Sequence, residues 1–441
     1  MSPQEVLALL MLAGFMGMIL IGIPVGISLA TSGLLFGFLG FGSTLFDLLP
    51  SRIYGVVTNY TLLAIPLFVF MGVMLEKSKI ADALLETLGH AMGGLRGGMG
   101  IAIVLVGVLM GAATGIVGAT VVTVGLLTLP VLMRRGYSRS VACGTICASG
   151  TLGQILPPSL VLILLSDILG ESVGSLFAAA LFPGLMLAAV YVIYLLVLGM
   201  VRPETVPPIP QSERDSLSGS DLLFRLVKSV APTILLVFAV LGSIIGGVAA
   251  PTEAASMGAA GSIVIALVSR RLDRPIMAAT LKGTVSISAM VFFILICAQP
   301  FALAFRGLGG EHLVEALFAL LPGGLNAELL FMMLLLFILG FFLEWIEISY
   351  IALPMFLPIF QAAGVDMVWF GILVAMNLQA SFLTPPFGWA LFFLKGVSPP
   401  GITTRDIYIG VLPFIALQLI GLGLLFIFPQ MATWLPAALG W

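Results

Sequence analysis

Residues 150–159 read Gly150-Thr151-Leu152-Gly153-Gln154-Ile155-Leu156-Pro157-Pro158-Ser159, and residues 381–388 read Ser381-Phe382-Leu383-Thr384-Pro385-Pro386-Phe387-Gly388. Each string interrupts an apolar run long enough to be a membrane span. Two successive prolines remove two backbone donors and push the preceding residue out of the helical region, so a helix entering either string breaks into halves. Irregular backbone at membrane depth is tolerated only where it is buried in protein or faces a polar cavity, because each free N–H or C=O otherwise costs several kcal/mol, on the order of the transfer penalty. The freed carbonyls are ready ligands for a hard cation, and the exposed helix N-termini favour an anion. A pair of packing kinks is the plainer alternative. Thr and Ser hydroxyls beside both breaks favour a site.

The rest of the chain supplies the bilayer. Of its 441 residues 60% are hydrophobic and 9% charged, too few ionic groups to cover a soluble fold of this length. Apolar runs recur from end to end, each able to cross a hydrocarbon core of roughly 30 Å as a helix, and the alternation of a membrane barrel is missing. The run from Glu5 has no basic leader or small-residue cleavage site, so it reads as a retained span. No basic stripe suggests nucleic acid. Cys143, Cys147 and Cys297 sit in apolar surroundings and read as small buried hydrophobes.

The most polar interior stretch, residues 202–221, holds Pro203, Pro207, Pro208 and Pro210 and divides the chain into two halves. The first, 1–201, reads as spans near 5–22, 24–45 and 56–75, an amphipathic stretch near 78–95, an apolar region 98–133, and spans 141–166 and 174–200. The second, 222–441, returns the same order: 229–248, 251–268 and 284–304, an amphipathic piece near 311–321, an apolar region 327–358, and spans 368–395 and 407–430. The spacing from Gly136 to Pro157 equals that from Gly364 to Pro385, and Leu129-Pro130 has its counterpart in Leu353-Pro354. Order and spacing together indicate an internal repeat.

Charge sets the orientation. Lys77, Lys79 and Arg96 precede region 98–133 and Arg134, Arg135 and Arg139 follow it, so both its ends lie in the cytoplasm. A region that leaves and returns to one side is a re-entrant hairpin, and the small residues Gly111 to Thr120 suit its reversal. Region 327–358 has only Arg306 before it and no basic residue from Gln361 to Gly388, which suits the opposite face. Arg202, Arg214, Arg225 and Lys228 mark the linker as cytoplasmic, as do Arg270, Arg271 and Arg274 for the next loop and Lys395 and Arg405 for another. The expected fold is therefore an all-α polytopic membrane protein of two inverted-topology repeats. Each repeat has about five spans with one re-entrant hairpin and one broken helix. Residue 1 and Trp441 are expected outside, and Arg52 is the one basic residue on the wrong side.

Buried carboxylates are the next signal. Glu344 and Glu347 sit near the middle of the second hairpin, where each costs about 2.5–3.5 kcal/mol at a helix centre and so needs a partner or water. A structural hydroxyl partner and a transport role are equally open. Glu253 at a turn reads as a helix cap. His90 and His312 fall in the amphipathic stretches, with no Cys or carboxylate at metal-ligand spacing. No phosphate-cradling GxxxxGK[ST] run is present, so another gradient or another subunit supplies the energy. Nothing points to an enzyme.

Several strings are similar to the large membrane subunit of tripartite ATP-independent periplasmic (TRAP) transporters. They are Leu63-Ala64-Ile65-Pro66-Leu67-Phe68, the hairpin from Thr114-Gly115 to Thr123-Val124-Gly125, Arg135-Gly136-Tyr137-Ser138, and Ala148-Ser149-Gly150-Thr151-Leu152-Gly153 with Pro157-Pro158-Ser159. Pro251-Thr252-Glu253-Ala254-Ala255 and Thr384-Pro385-Pro386 with Gly388 complete the set. They cover nearly the whole chain in order. The resemblance implies an elevator mechanism, in which a mobile unit of two hairpins and two broken helices carries substrate and sodium past a scaffold. It implies two partners, a small four-helix membrane subunit and a periplasmic substrate-binding protein, and a location in the bacterial inner membrane among its lipids. Carried over by motif, one sodium site would use Thr114, Gly115, Thr151, Gly153 and Pro157. The other would use Glu344, Ser349, Thr384, Pro386 and Gly388. Thr120, Gln154, Glu347 and Gln379 are expected near the substrate. The first tip departs from the family's Ser-Gly-Ser, reading Thr114-Gly115-Ile116, and Glu344 stands where Asp is usual. The two tips are similar to a branch linked to 2-oxo acids, lactate, mannitol and chloroaromatic acids, so the expected cargo is a small carboxylate.

Two other functions compete. A self-sufficient sodium–anion symporter of the same superfamily would need no binding protein. A membrane anchor or proton-conducting subunit of an enzyme complex would show a trail of buried Lys, His and Glu across several helices, and this chain does not.

Overall fold

The computed structural model describes residues 2–210 and 219–441, with the side chains of 113, 114, 219 and 220 outside the description. Residues 211–218 of the linker, Arg214 among them, also lie outside it. Every regular element among the described residues is helical.

The first half runs α1 (Pro3–Leu20), α2 (Val25–Phe41), α3 (Thr44–Val57), α4 (Ala64–Lys77), α5 (Ile80–Met92), α6 (Gly98–Thr114), α7 (Val117–Arg134), α8 (Arg139–Thr151), α9 (Leu160–Leu169) and α10 (Val173–Val201). The second runs α11 (Gly219–Ile245), α12 (Pro251–Val268), α13 (Arg274–Gly307), α14 (Gly310–Phe318), α15 (Gly324–Leu339), α16 (Trp345–Ile351), α17 (Leu353–Ala362), α18 (Met367–Leu383), α19 (Trp389–Val397), α20 (Thr404–Ile427) and a terminal α21 (Gln430–Ala438). Among the described residues seven helices are long and apolar enough to cross a bilayer, or up to nine if each of two bent pairs counts as one span.

The halves interlock reciprocally. α2 packs along α13, and α12 packs along α4, so the second span of each half lies on the third span of the other. The same exchange recurs among the interrupted elements, where α7 meets α19 and α9 meets α16, while α8 lies on α20 and α10 on α18. α8 and α20 touch backbone to backbone. A Cβ on Gly144 would stand 1.9 Å from the Gly410 carbonyl oxygen, and one on Gly410 would stand 2.0 Å from that of Ser140. Close backbone approach through small residues is how membrane helices gain packing energy without a hydrophobic drive between them.

Local chemistry explains the helix starts. Ser172 accepts from the Ser175 N–H at 2.9 Å, Asp273 from Ile276 at 2.8 Å and Asp366 from Trp369 at 2.9 Å, each satisfying a donor that the helix leaves free. Glu253 caps α12 as expected, its carboxylate accepting from the Ala250 N–H at 2.9 Å.

Two elements differ from the sequence reading. The stretch after α2 is not a plain loop: Gly42, at φ 62°, turns the chain into α3, which meets α4 through a 51° bend. The return arm of the second hairpin is also bent, by 52° between α16 and α17. Pro354 supplies the reason, since it has no N–H to continue the ladder and fits only a first turn.

Candidate functional site

The first break begins where α8 ends at Thr151 and the turn Leu152–Gln154 follows. Ser159 restarts the helix. Its hydroxyl donates to the Gln154 carbonyl at 2.6 Å and accepts from the Val161 N–H at 3.2 Å, which fixes the connection and caps α9. Among the described residues no backbone N–H reaches the Pro157 or Pro158 carbonyl. The second break is built alike: α18 ends at Leu383, the Gly388 N–H donates to the Thr384 carbonyl at 3.0 Å, and α19 follows. The Tyr408 hydroxyl donates to the Pro386 carbonyl at 2.8 Å, leaving that oxygen one lone pair.

Each hairpin is pressed against its own break by a glycine. A Cβ on Gly111 of α6 would lie 2.5 Å from the Gly153 Cα, and one on Gly340, at the end of α15, would lie 2.1 Å from the Ser381 Oγ. Gly153 and Ser381 each stand four residues before their Pro-Pro pair, so these are equivalent contacts in the two halves. At the first tip Gly115 takes φ 61°, a left-handed conformation that admits glycine readily. A Cβ there would meet the Leu160 nitrogen at 3.0 Å, so the tip sits at the start of α9.

Both tips open on one cavity of about 100 Å³. Gly115 to Gly118 line it from the first hairpin, Glu344 to Ile346 from the second, and Phe382 and Phe393 from either side of the second break. Ile287, Met290 and Val291 of α13 close it. Glu344, partly exposed, is one of the residues that line this space, at the start of α16. Glu347 is 7% exposed and accepts from the Glu344 N–H at 2.9 Å, so its partner is backbone rather than a hydroxyl.

The remaining expected site residues divide by what their polar atoms already do. Thr151, Ser349 and Thr384 each donate to a carbonyl of their own helix, at 2.9, 2.7 and 2.8 Å; the Thr151 hydroxyl also accepts from the Gln418 amide at 3.5 Å, which leaves it one lone pair to ligate where the other two keep both. The side chain of Thr114 lies outside the described residues. Thr120 donates to the Ile116 carbonyl at 3.0 Å and borders a smaller space beside Glu76, and it does not line the cavity between the tips. Gln154 and Gln379 are buried, and neither amide has a side-chain hydrogen bond among the described residues. Neither glutamine borders the cavity between the tips.

Sequence reasoning missed Asp167. This acid on α9 accepts from the Tyr350 hydroxyl of α16 at 2.9 Å and from the Asn59 amide at the α3–α4 bend, whose own oxygen accepts from the Thr61 N–H at 2.9 Å. It therefore ties a broken helix, a hairpin and a scaffold bend together. The signal was available, because an acid inside Leu160–Leu169 carries the same insertion cost as Glu344. Asp167→Ala is expected to lower stability by about 1–3 kcal/mol, since the buried Tyr350 hydroxyl and the half-buried Asn59 amide lose their acceptor. Tyr350→Phe, which removes one donor and strands none, is expected to cost less. Thermal unfolding of the purified variants measures both.

An all-helical membrane protein whose two re-entrant hairpins and two interrupted helices meet at one cavity is, by class, a permease of the secondary-transporter kind. The chain belongs to the family described as the tripartite ATP-independent periplasmic transporter, DctM component, whose sequence profile matches residues 12–431. It is similar to the C4-dicarboxylate TRAP transporter large permease protein DctM of Pseudomonas aeruginosa, 31% identical over 89% of this chain and 90% of that one. It is also similar to the ectoine TRAP transporter large permease protein TeaC of Halomonas elongata, 28% identical over 97% and 98% of the two chains. In fold it resembles the crystal structure of the Alcanivorax borkumensis YdaH transporter, with a TM-score of 0.63 and 15% identity over 88% of this chain and 89% of the other. The chain is a multi-pass protein of a bacterial inner membrane and a TRAP large permease subunit for a small organic substrate. The family implies a small membrane subunit and a periplasmic binding protein as partners.

Proposed function

We propose that this permease imports a small carboxylate, of the 2-oxo acid or lactate kind, by coupling it to sodium. A periplasmic binding protein delivers the substrate and a small four-helix subunit completes the membrane unit. The observation that carries the reading is the convergence of both hairpin tips on one cavity, each tip pressed against a helix break. Free carbonyls at Pro157 and Pro158 and the Glu344 carboxylate are hard oxygen ligands of the kind a sodium ion takes, and the adjacent N-termini of α9 and α19 favour a carboxylate. The hairpins, α8, α9, α18 and α19 form the moving unit of an elevator, and α13 belongs to the wall it slides along. Asp167 would then be a contact remade in each cycle.

The test is uptake of a labelled 2-oxo acid into proteoliposomes holding the chain with its small subunit. Sodium gradient and binding protein are added separately and together. Uptake is expected only with both. Uptake with sodium alone would make the chain a self-sufficient symporter, and sodium-indifferent uptake would remove the cation sites.

A further inference from the structure

A second cavity lies away from the tips, at the end of the molecule marked as cytoplasmic by its basic loops. It measures about 190 Å³ and lies between the start of α5, the N-terminal half of α11 and the end of α12. Lys228, Ser229, Ser269 and Arg271 line it together with Ile80 and Ile265, and no acidic side chain does. Arg271 is already oriented: its guanidinium donates to the carbonyls of Ser78, at 3.4 Å, and Lys79, which leaves further N–H donors of its five for a ligand. Asp82 stands near both Lys79 and Arg271 but opens into the neighbouring cavity with His90 and Arg135. Lys228 is exposed and enters no ion pair or hydrogen bond among the described residues.

The surroundings select the kind of anion. On the same turns of α11, Leu223, Phe224 and Val227 are 63%, 68% and 58% exposed, beside Arg225 and Lys228. Apolar side chains open to the outside within a turn of basic ones characterise a helix segment at the bilayer surface, where acyl chains cover the former and headgroups meet the latter. A free phosphate in the cavity would leave these apolar side chains uncovered. A phospholipid would satisfy both.

We propose that this cavity binds the headgroup of an acidic phospholipid of the inner leaflet, its phosphate held between Lys228 and Arg271 with Ser229 and Ser269 as hydroxyl donors. The bound lipid braces α5, the arm leading to the first hairpin, against the scaffold helices α11 and α12. This reading is independent of sodium coupling.

Native mass spectrometry of the full-length chain, with thermal unfolding as a second readout, tests it. Phosphatidylglycerol is expected to bind saturably and raise the unfolding temperature, whereas phosphatidylcholine and inorganic phosphate at equal concentration do neither. One basic side chain near the surface is worth about fivefold in affinity, so Lys228→Gln is expected to weaken phosphatidylglycerol binding by about that factor and Lys228→Arg to restore it. Lys228 is exposed, so the variants fold. Phosphatidylglycerol binding unchanged in Lys228→Gln, or no tighter than phosphatidylcholine binding, overturns the proposal. An equal effect from inorganic phosphate makes this a free-anion site and overturns it as well.

Discussion

Gly111→Val is expected to reduce uptake by more than tenfold while the protein still inserts in the membrane. The new Cβ would lie 2.5 Å from the Gly153 Cα and 2.7 Å from its nitrogen, contacts with backbone that no rotamer change can relieve. The first hairpin must then lift off the break, separating Gly115 from the start of α9. Overpacking of this kind costs about 1–3 kcal/mol, which a bilayer-embedded bundle survives. A displacement of about 1 Å at a binding constellation, by contrast, is enough to cost on the order of a hundredfold in function. Transport assayed beside membrane abundance separates the two effects. Wild-type uptake in Gly111→Val would show that the hairpin–break contact is only packing. Gly340→Val probes the equivalent contact in the second half, where the new Cβ would meet the Ser381 Oγ and, at 2.7 Å, the Ser381 Cβ; the hydroxyl can turn away but the Cβ cannot, so a loss of the same kind is expected.

Glu344→Gln is expected to raise the sodium requirement of uptake at least tenfold, and Glu347→Gln to leave it nearly unchanged. The two acids differ in what they are free to do. Glu347 spends its carboxylate on the Glu344 N–H, a role that a glutamine oxygen fills equally well. Glu344 lines the cavity between the tips, where a carboxylate would be open to a cation. Replacing a charged oxygen ligand by an amide keeps the shape and removes the attraction, so the sodium concentration for half-maximal uptake rises at least tenfold. Sodium titration of uptake in the two variants measures this directly. Equal impairment, or a larger loss in Glu347→Gln, would assign the cation to the wrong acid.

Much of this was legible in the sequence because membrane depth makes exceptions conspicuous. The paired prolines at 157–158 and 385–386 announced both breaks, and the small residues around Gly115 announced the first tip. The capping role of Glu253 followed from its place three residues after a turn. The partner of Glu347 was harder, since a backbone N–H leaves no mark in composition; only its three-residue spacing from Glu344 hints at a capping box. α3 was missed because Asp47, Pro50 and Arg52 give residues 44–57 the look of a loop. Its helix rests on tertiary packing against α2 and α13, which a one-dimensional pattern does not carry. The cavity between the tips was out of reach for a related reason: it joins Gly115, Glu344, Phe393 and Ile287, positions that only the interlocking of the two halves brings together.

Equilibrium binding of radioactive sodium to the purified permease tests most directly whether the meeting of tips and breaks is a cation site. Saturable binding by the wild type, weakened at least tenfold in Glu344→Gln and kept in Glu347→Gln, is the expected result. Absence of saturable binding, or binding indifferent to Glu344, would contradict it.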